Sequence, residues 1–390
     1  MRVVLVNYGG DFAADAEPEA VLDELRSVED WAGALRKAGA DVVVVQGFHR
    51  EARCQRAGID YRFVAGRFSP RLSRKRIPWR LHRVVRRLAP DVVHLNGLLY
   101  GLQARALGRS LPRATRLVLQ HHGERPDEGL AAHVQRWGLR AADGFFFTSP
   151  EMAEPWRARG LIPESRPVFG IMEGSSRFLR MERSAAREST GLTGDPIYLW
   201  AANLDANKDP MTVLDGFERS LAELPAARLY LTWRLGNLRP QVEQRIAASA
   251  QLRNAVQLLG PKPYAEMEPL YNSADFLLQG SHREGSGYAV ADALACGTIP
   301  VVTDIASFRF MTAQGVVGAL WPPGDATALH QAILRLAAQP RPAQRQAARN
   351  LFERHLSLPV IGRQAVDAYR QLGLERKIHQ PESGARTGQG

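Results

Sequence analysis

Short apolar runs alternate with helical stretches along most of this chain, and the pattern is laid down twice. The first half carries RVVLVN (residues 2–7), DVVVVQG (41–47), YRFVAG (61–66), DVVHLNG (91–97), RLVLQHHG (116–123) and GFFFTS (144–149). The second half carries IYLWAANL (197–204), ARLYLTW (227–233), AVQLLG (255–260), ADFLLQG (274–280) and IPVVTD (299–304). Most of these runs are apolar at consecutive positions. A strand of that kind is covered on both faces, as in a parallel sheet between layers of helix. The intervening stretches suit those layers. SVEDWAGALRKAGA (27–40) has helical spacing, with Ser27 as N-cap, Asp30 in the capping-box position and Gly39 at its end. PWRLHRVVRRLAP (78–90) is a helix framed by prolines, and DPMTVLDGFERSLAEL (209–224) is another. The expected fold class is α/β, with two doubly wound Rossmann-like domains in tandem.

At 390 residues the chain is too long for one ordinary core. The pattern divides it into an N-terminal domain over residues 1–172, a linker over 173–193 with little apolar periodicity, and a C-terminal domain over 194–355. A helix at 356–375 is expected to pack back on the N-terminal domain, and 376–390 reads as a disordered tail. MRVVLVNYGG reads as a first strand, not a signal peptide. No window holds the ~20 apolar residues of a membrane span. The two cysteines, Cys54 and Cys296, are far apart and build neither a disulfide framework nor a zinc cluster. A reducing cytoplasm is the simplest setting.

The net charge is +11, and only five of the 51 basic residues are lysine. From 67 to 87 there are nine basic residues and no acidic one. Trp79, Leu81, Val84, Val85 and Leu88 interleave there with Arg80, Arg83, Arg86 and Arg87. This segment is either a solvated helix face or a patch that docks on an anionic membrane, such as the inner face of the cell membrane. No nucleic-acid-binding module accompanies the charge, so no nucleic-acid partner is expected.

Doubly wound sheets bind ligands at the carboxyl ends of their strands, and two facing domains would put a cleft there. The loop SHREGSG (281–287) closes one strand and opens the helix YAVADALA (288–295). A helix N-terminus with glycines before it lets a phosphate reach unpaired backbone N–H groups. Glu284, just ahead of those amides, is better suited to sugar hydroxyls than to phosphate. Asp292 lies two turns into the helix, roughly along the same face. Read from spacing alone, the loop is equally an ordinary strand-to-helix turn with solvated acids.

EGSGYAVADALACGTIPVVTD (284–304) resembles the E-x7-E segment of the retaining glycosyltransferases of family four, which have the GT-B fold. Glu284 stands at the first glutamate and Asp292 at the second. LDANKDPMTVLDGF (204–217) resembles the family's L-x-x-x-K-G segment, and DVVHLNG and LQHHGE resemble two segments of its first domain. The resemblance implies that Glu284 contacts the donor sugar, Asp292 the nucleotide ribose, and Gly285, Ser286, Gly287 and Tyr288 the diphosphate. It makes Lys208 a diphosphate ligand. Lys208 is the only lysine between Lys75 and Lys262 in an arginine-rich chain, consistent with a compact point charge. Where most relatives have an arginine before the leucine, this chain has Asn203; Arg234 or Arg309 is a candidate substitute. Asp292 is one methylene shorter than the usual glutamate.

In the first half, His122 ends a strand before Gly123, and the resemblance puts it at the reacting centre with Glu284; His121 points the other way. Gly9 and Gly10 close the first strand, where the family places acceptor or phosphate contacts. The loop 11–26 is long and acidic, as in an acceptor site or lid. The activity so implied is transfer of a sugar, with retention, from a nucleotide-diphosphate sugar to a hydroxyl of a glycan, lipid or small molecule. Same-face attack would do this, with the leaving phosphate accepting the proton. No cofactor and no metal are expected, since no Asp-x-Asp pair occupies a suitable loop. The competing readings are another enzyme on this scaffold, such as a nucleotide-sugar epimerase or a phosphorylase, and a non-catalytic nucleotide-sugar-binding module.

Overall fold

The computed structural model describes residues 1–10, 12–13, 16–68 and 72–378. They form two compact units: residues 1–173 with 361–378, and residues 174–360. The N-terminal unit runs β1 (Arg2–Asn7), α1 (Pro18–Glu24), α2 (Arg26–Lys37), β2 (Asp41–Phe48), β3 (Ala52–Arg56), β4 (Ile59–Ala65), α3 (Trp79–Arg87), β5 (Val92–Asn96), α4 (Gly101–Ser110), β6 (Arg116–Gln120), α5 (Gly129–Leu139), β7 (Gly144–Phe147), α6 (Glu154–Ala158) and β8 (Val168–Gly170). Its sheet has the order β3-β4-β2-β1-β5-β6-β7-β8. Every pair is parallel except β3 with β4. Helical crossovers enforce that arrangement, because parallel neighbours cannot be joined by a tight turn. Val4, Val6, Val43, Val45, Leu95, Leu119 and Phe145 form the centre of its core.

The second unit runs α7 (Arg183–Thr190), β9 (Ile197–Ala201), α8 (Pro210–Ser220), β10 (Arg228–Thr232), α9 (Arg239–Ala247), α10 (Ala250–Ala255), β11 (Val256–Gly260), α11 (Tyr264–Ser273), β12 (Phe276–Gln279), α12 (Tyr288–Cys296), β13 (Ile299–Thr303), α13 (Ala306–Met311), β14 (Ala319–Trp321), α14 (Ala326–Ala337) and α15 (Arg341–Leu351). Its parallel sheet has the order β11-β10-β9-β12-β13-β14. Trp200, Leu229, Leu231, Phe276, Leu278 and Val301 lie in its core. The last helix, α16 (Leu358–Ile378), returns the chain to the first unit. There Tyr369 stacks on Phe146, its hydroxyl lies 2.7 Å from His94 Nδ1, and Arg116 Nε donates to the Leu372 carbonyl at 3.0 Å.

Several local expectations change. Helix α2 starts at Arg26, after Leu25 and with no side-chain cap, so Ser27 and Asp30 do not cap it. The reason is α1, which ends at Glu24 and occupies part of the expected loop 11–26; residues 11, 14 and 15 lie outside the described residues. Strand β3 was not expected. It is an exposed edge, hairpinned to β4 through Ala57 and Gly58, both at positive φ as a two-residue turn requires. Residues 183–190 of the expected linker are helical. Arg183 and Arg187 of α7 reach the fully buried Asp275 at 2.5 and 3.0 Å, which also accepts Ile197 N–H at 2.8 Å. Of the expected tail, residues 376–378 end α16 and 379–390 lie outside the described residues.

The apolar stripe of residues 79–88 is not a surface feature. Leu81, Val85 and Leu88 are core residues of the N-terminal unit, and Val84 packs against them. Trp79 alone of the five is exposed, beside exposed Arg80, Arg83, Arg86 and Arg87. An amphipathic helix beside a sheet spends its apolar face on the core. Residues 69–71 of the basic segment lie outside the described residues. Cys54 and Cys296 are both free. No described helix is long and apolar enough to cross a membrane.

Candidate active site

In the second unit, β9, β10 and β12 are neighbours and parallel, so the loops after them share the carboxyl edge. The loops after β9 and β12 are fastened together. His282 N–H donates to the Asn207 carbonyl at 2.8 Å, and Asn207 Nδ2 donates to the Arg283 carbonyl at 3.0 Å. Gly280 makes the close approach possible: a Cβ there would lie 2.8 Å from the Lys208 carbonyl oxygen. Asp209 caps α8, accepting from Thr212 N at 3.2 Å, and stands at φ +50°.

The result joins two residues that are 76 positions apart in sequence. Lys208 Nζ is ion-paired with Glu284, whose Oε1 also accepts from the buried Ser281 hydroxyl at 2.6 Å. Both side chains are largely buried, with 19% and 13% exposed. Just beyond them α12 begins. Helices α8 and α14 have aspartate N-caps, but α12 is preceded by Gly287, with no side-chain cap and no acid in its first turn. Its initial amides therefore carry the partial positive charge of a helix N-terminus without a side-chain acceptor at Gly287. Gly287 has φ +68°, and a Cβ there would meet Phe308 Cε1 at 2.7 Å. Ser286 is buried, Gly285 is partly buried, and Tyr288 is 43% exposed.

Glu284 precedes α12, so it and Asp292 do not share one face of that helix. Asp292 is partly buried in the second turn of α12. Burial pushes its carboxyl up to about 7, against the opposing hydrogen bond from Ser176. Asn203 does not stand free in an arginine's place. Its Oδ1 accepts Leu235 N–H at 3.1 Å and holds the loop after β10. That loop presents Arg234, exposed and without an ion pair among the described residues. Arg309 instead donates to Asp304 Oδ1 at 2.7 Å.

In the first unit a second polar group gathers at the carboxyl ends of β1, β5 and β6. His122 Nδ1 is ion-paired with Glu173, and its Nε2 lies 3.1 Å from Asn96 Oδ1. The backbone N–H of His122 donates to Glu124 Oε2 at 2.6 Å, and Leu98 N–H donates to Glu124 Oε1 at 2.9 Å. Asn96 Nδ2 donates to Asn7 Oδ1 at 2.5 Å. Burial works against charge on His122, but the Glu173 and Glu124 carboxylates outweigh it and hold its pKa above the ordinary value. His121 is a core residue stacked on Phe147, and burial lowers its pKa. Asn7, Asn96, Glu124 and Glu173 were not singled out from sequence. The first three are polar residues at or just beyond strand ends, which was the available signal. Gly9 and Gly10 face their own chain: a Cβ on Gly9 would lie 2.7 Å from the Phe68 carbonyl oxygen, and one on Gly10 would meet the Phe12 ring. No group of three His, Cys, Asp or Glu side chains among the described residues is placed to hold a metal.

A lysine–glutamate pair beside an uncapped helix N-terminus, on a parallel α/β sheet, is the equipment of a phosphate- and hydroxyl-binding protein. Comparison with known proteins narrows this. Residues 182–353 match the model for glycosyl transferases group 1, and 25–169 match that for a glycosyl transferase 4-like domain. The chain belongs to the family-four glycosyltransferases, with the GT-B fold. It is 28% identical to a D-inositol 3-phosphate glycosyltransferase of Streptosporangium roseum, over 59% of this chain and 54% of that one. The chain spans about half the length, or less, of the curated relatives of that name that it matches. It is 25% identical to the GDP-mannose:cellobiosyl-diphosphopolyprenol alpha-mannosyltransferase of Xanthomonas campestris, over 73% of this chain and 76% of that one. Among solved structures it is similar to the Anabaena protein HepE in complex with UDP and glucose. The TM-score is 0.67 at 15% identity, covering 95% of this chain and all of that one, a likeness of fold.

Proposed function

We propose that this chain is a retaining, hexosyltransferase-type glycosyltransferase that moves a sugar from a nucleotide-diphosphate sugar to a hydroxyl of a glycan, lipid or small molecule. The observation that carries the reading is the Lys208–Glu284 pair in front of the uncapped start of α12. Each charge is the other's partner. A donor would divide them. Its diphosphate accepts from Lys208 Nζ and from the amides of residues 285–288, and Glu284 accepts hydroxyl hydrogens of the sugar. Arg234 supplies the second cation, held in reach by Asn203. Asp292 accepts from the ribose.

The bond between the anomeric carbon and the phosphate oxygen breaks, and negative charge grows on the departing diphosphate. Cationic and N–H groups already in place stabilise that charge more in the transition state than in the ground state. The anomeric carbon becomes cation-like, and the acceptor oxygen forms its bond on the face the phosphate leaves. The proton of the acceptor hydroxyl passes to the departing phosphate oxygen. In the N-terminal unit, His122 is the group we assign to the donor sugar and the reacting centre. Its charge is sustained by Glu173.

The test is incubation with nucleotide sugars and candidate hydroxyl acceptors in EDTA, followed by NMR of the product's anomeric configuration. Retention of configuration is expected, with no need for added metal. Glu284→Ala should lower transfer by about 100-fold or more while nucleotide affinity changes little. An inverted product, or full activity in Glu284→Ala, contradicts the assignment.

A further inference from the structure

At the opposite, amino edge of the N-terminal sheet lies a pocket that the proposed reaction does not use. Its volume is about 380 Å³, and Arg105, Arg109, Arg113, Arg140 and Arg166 line it. Asp143 is the one carboxylate in its wall. It already accepts Leu117 N–H at 2.9 Å and sits 3.9 Å from Arg166. One acid for five guanidinium groups leaves the pocket strongly cationic. Arg105, Arg109 and Arg140 make no ion pair among the described residues, and Arg105 Nε is buried with no hydrogen-bond partner.

The pocket is continuous with an apolar surface. Arg105 and Arg109 lie over the Trp137 ring at 5.1 and 5.4 Å. Trp137 is 42% exposed, and so are Leu130 (87%) and Val134 (50%). The three stand four and three residues apart on α5, on one side of the helix. Helix faces of this composition normally turn inward, as α3 does.

We propose that the outer face of α5 and the arginine pocket beside it form a docking surface for a bilayer of anionic phospholipid. Leu130, Val134 and Trp137 enter the headgroup layer, and the guanidinium groups take lipid phosphates. Charge complementarity selects this occupant. A second copy packed symmetrically through the same face would bring two cationic pockets together. A basic rim around an apolar, tryptophan-bearing helix face matches the two attractions of an anionic interface. The surface is distinct from the basic segment 67–87.

Vesicle co-sedimentation of the full chain tests this, with phosphatidylcholine alone and with phosphatidylcholine mixed with phosphatidylglycerol. The wild type should bind the mixed vesicles at low salt, leave them at high salt, and ignore phosphatidylcholine. Leu130→Asp and the pair Arg109→Glu with Arg140→Glu should each weaken binding roughly tenfold or more. Both change exposed side chains, so their melting curves should match the wild type. Arg83→Glu with Arg86→Glu, on α3, should bind as the wild type does. Lys208→Ala should also bind normally, which separates this proposal from the donor site. The proposal is overturned if the wild type does not bind, or if the α3 variant loses binding while the α5 and pocket variants keep it. It is also overturned if millimolar inorganic phosphate displaces the vesicles at constant ionic strength, which would mark a site for soluble phosphate. A concentration-dependent dimer abolished by Leu130→Asp would equally replace the membrane with a second copy.

Discussion

Three side chains of the proposed site each have a separate signature. Lys208 is held within reach of Glu284 by loops that hydrogen-bond to each other. Lys208→Ala should weaken nucleoside diphosphate binding about tenfold or more, the scale of a charge-assisted hydrogen bond; calorimetric titration reads this. Asp292 carries a carboxyl that burial raises to about 7. The native state therefore holds a proton that the unfolded chain releases nearer pH 4. This group's contribution falls as pH rises from about 4 towards 7. Asp292→Asn should gain melting temperature relative to wild type between pH 5 and pH 8, and a constant difference would refute the buried proton. His122 has the opposite cause, a neighbouring carboxylate. Its raised pKa means that the pair with Glu173 contributes fully below the ordinary histidine pKa, and that contribution is lost as pH rises through the folded value. An NMR titration should place His122 above about 6.5, and Glu173→Gln should bring it down. Lys208, Glu284 and Asp292 were singled out in the sequence by the resemblance of their strand–loop–helix segments to a family pattern. Glu173 was not, because it meets His122 from 51 positions away and no local pattern marks it.

At the scale of elements, the buried strands were readable because Val, Leu and Phe occupy consecutive positions, a pattern that suits little but a doubly covered strand. The elements that escaped notice lack that burden. Strand β3 alternates partly exposed side chains, β14 has three residues, and α7 buries only Ala186. Helix α7 is fixed instead by Arg183 and Arg187 on Asp275, a partner more than 85 residues away. Asp275→Ala would strand those guanidinium groups and leave Ile197 N–H unpaired. Unfolding in urea should show a loss of about 3–5 kcal/mol. The basic helix α3 was left with two readings for a related reason. Its apolar residues predict a stripe, and sequence does not say whether core or solvent receives it. Its Leu81 and Val85 are fully buried.

At the scale of the molecule, the chain closes its first unit with its last helix. Ile361, Ala365, Val366, Tyr369 and Leu372 are all buried. Truncation after residue 360 should therefore uncover β5 and β7 of the N-terminal unit while leaving the donor-side residues intact. Hydrogen exchange should show lost protection in the first unit alone, since residues 174–360 form the second. The two-unit plan was readable from the doubled strand–helix pattern, but the pairing of Lys208 with Glu284 needed the sheet order that sets β9 beside β12. Ligand-dependent melting tests whether that pairing forms the donor site. Wild type and Lys208→Ala would be melted in EDTA with UDP, GDP and ADP and their sugars. A ligand of the native state raises the melting temperature. A rise is expected for the wild type with at least one nucleoside diphosphate, and a much smaller one for Lys208→Ala. An equal rise in both proteins, or none in either, would contradict it.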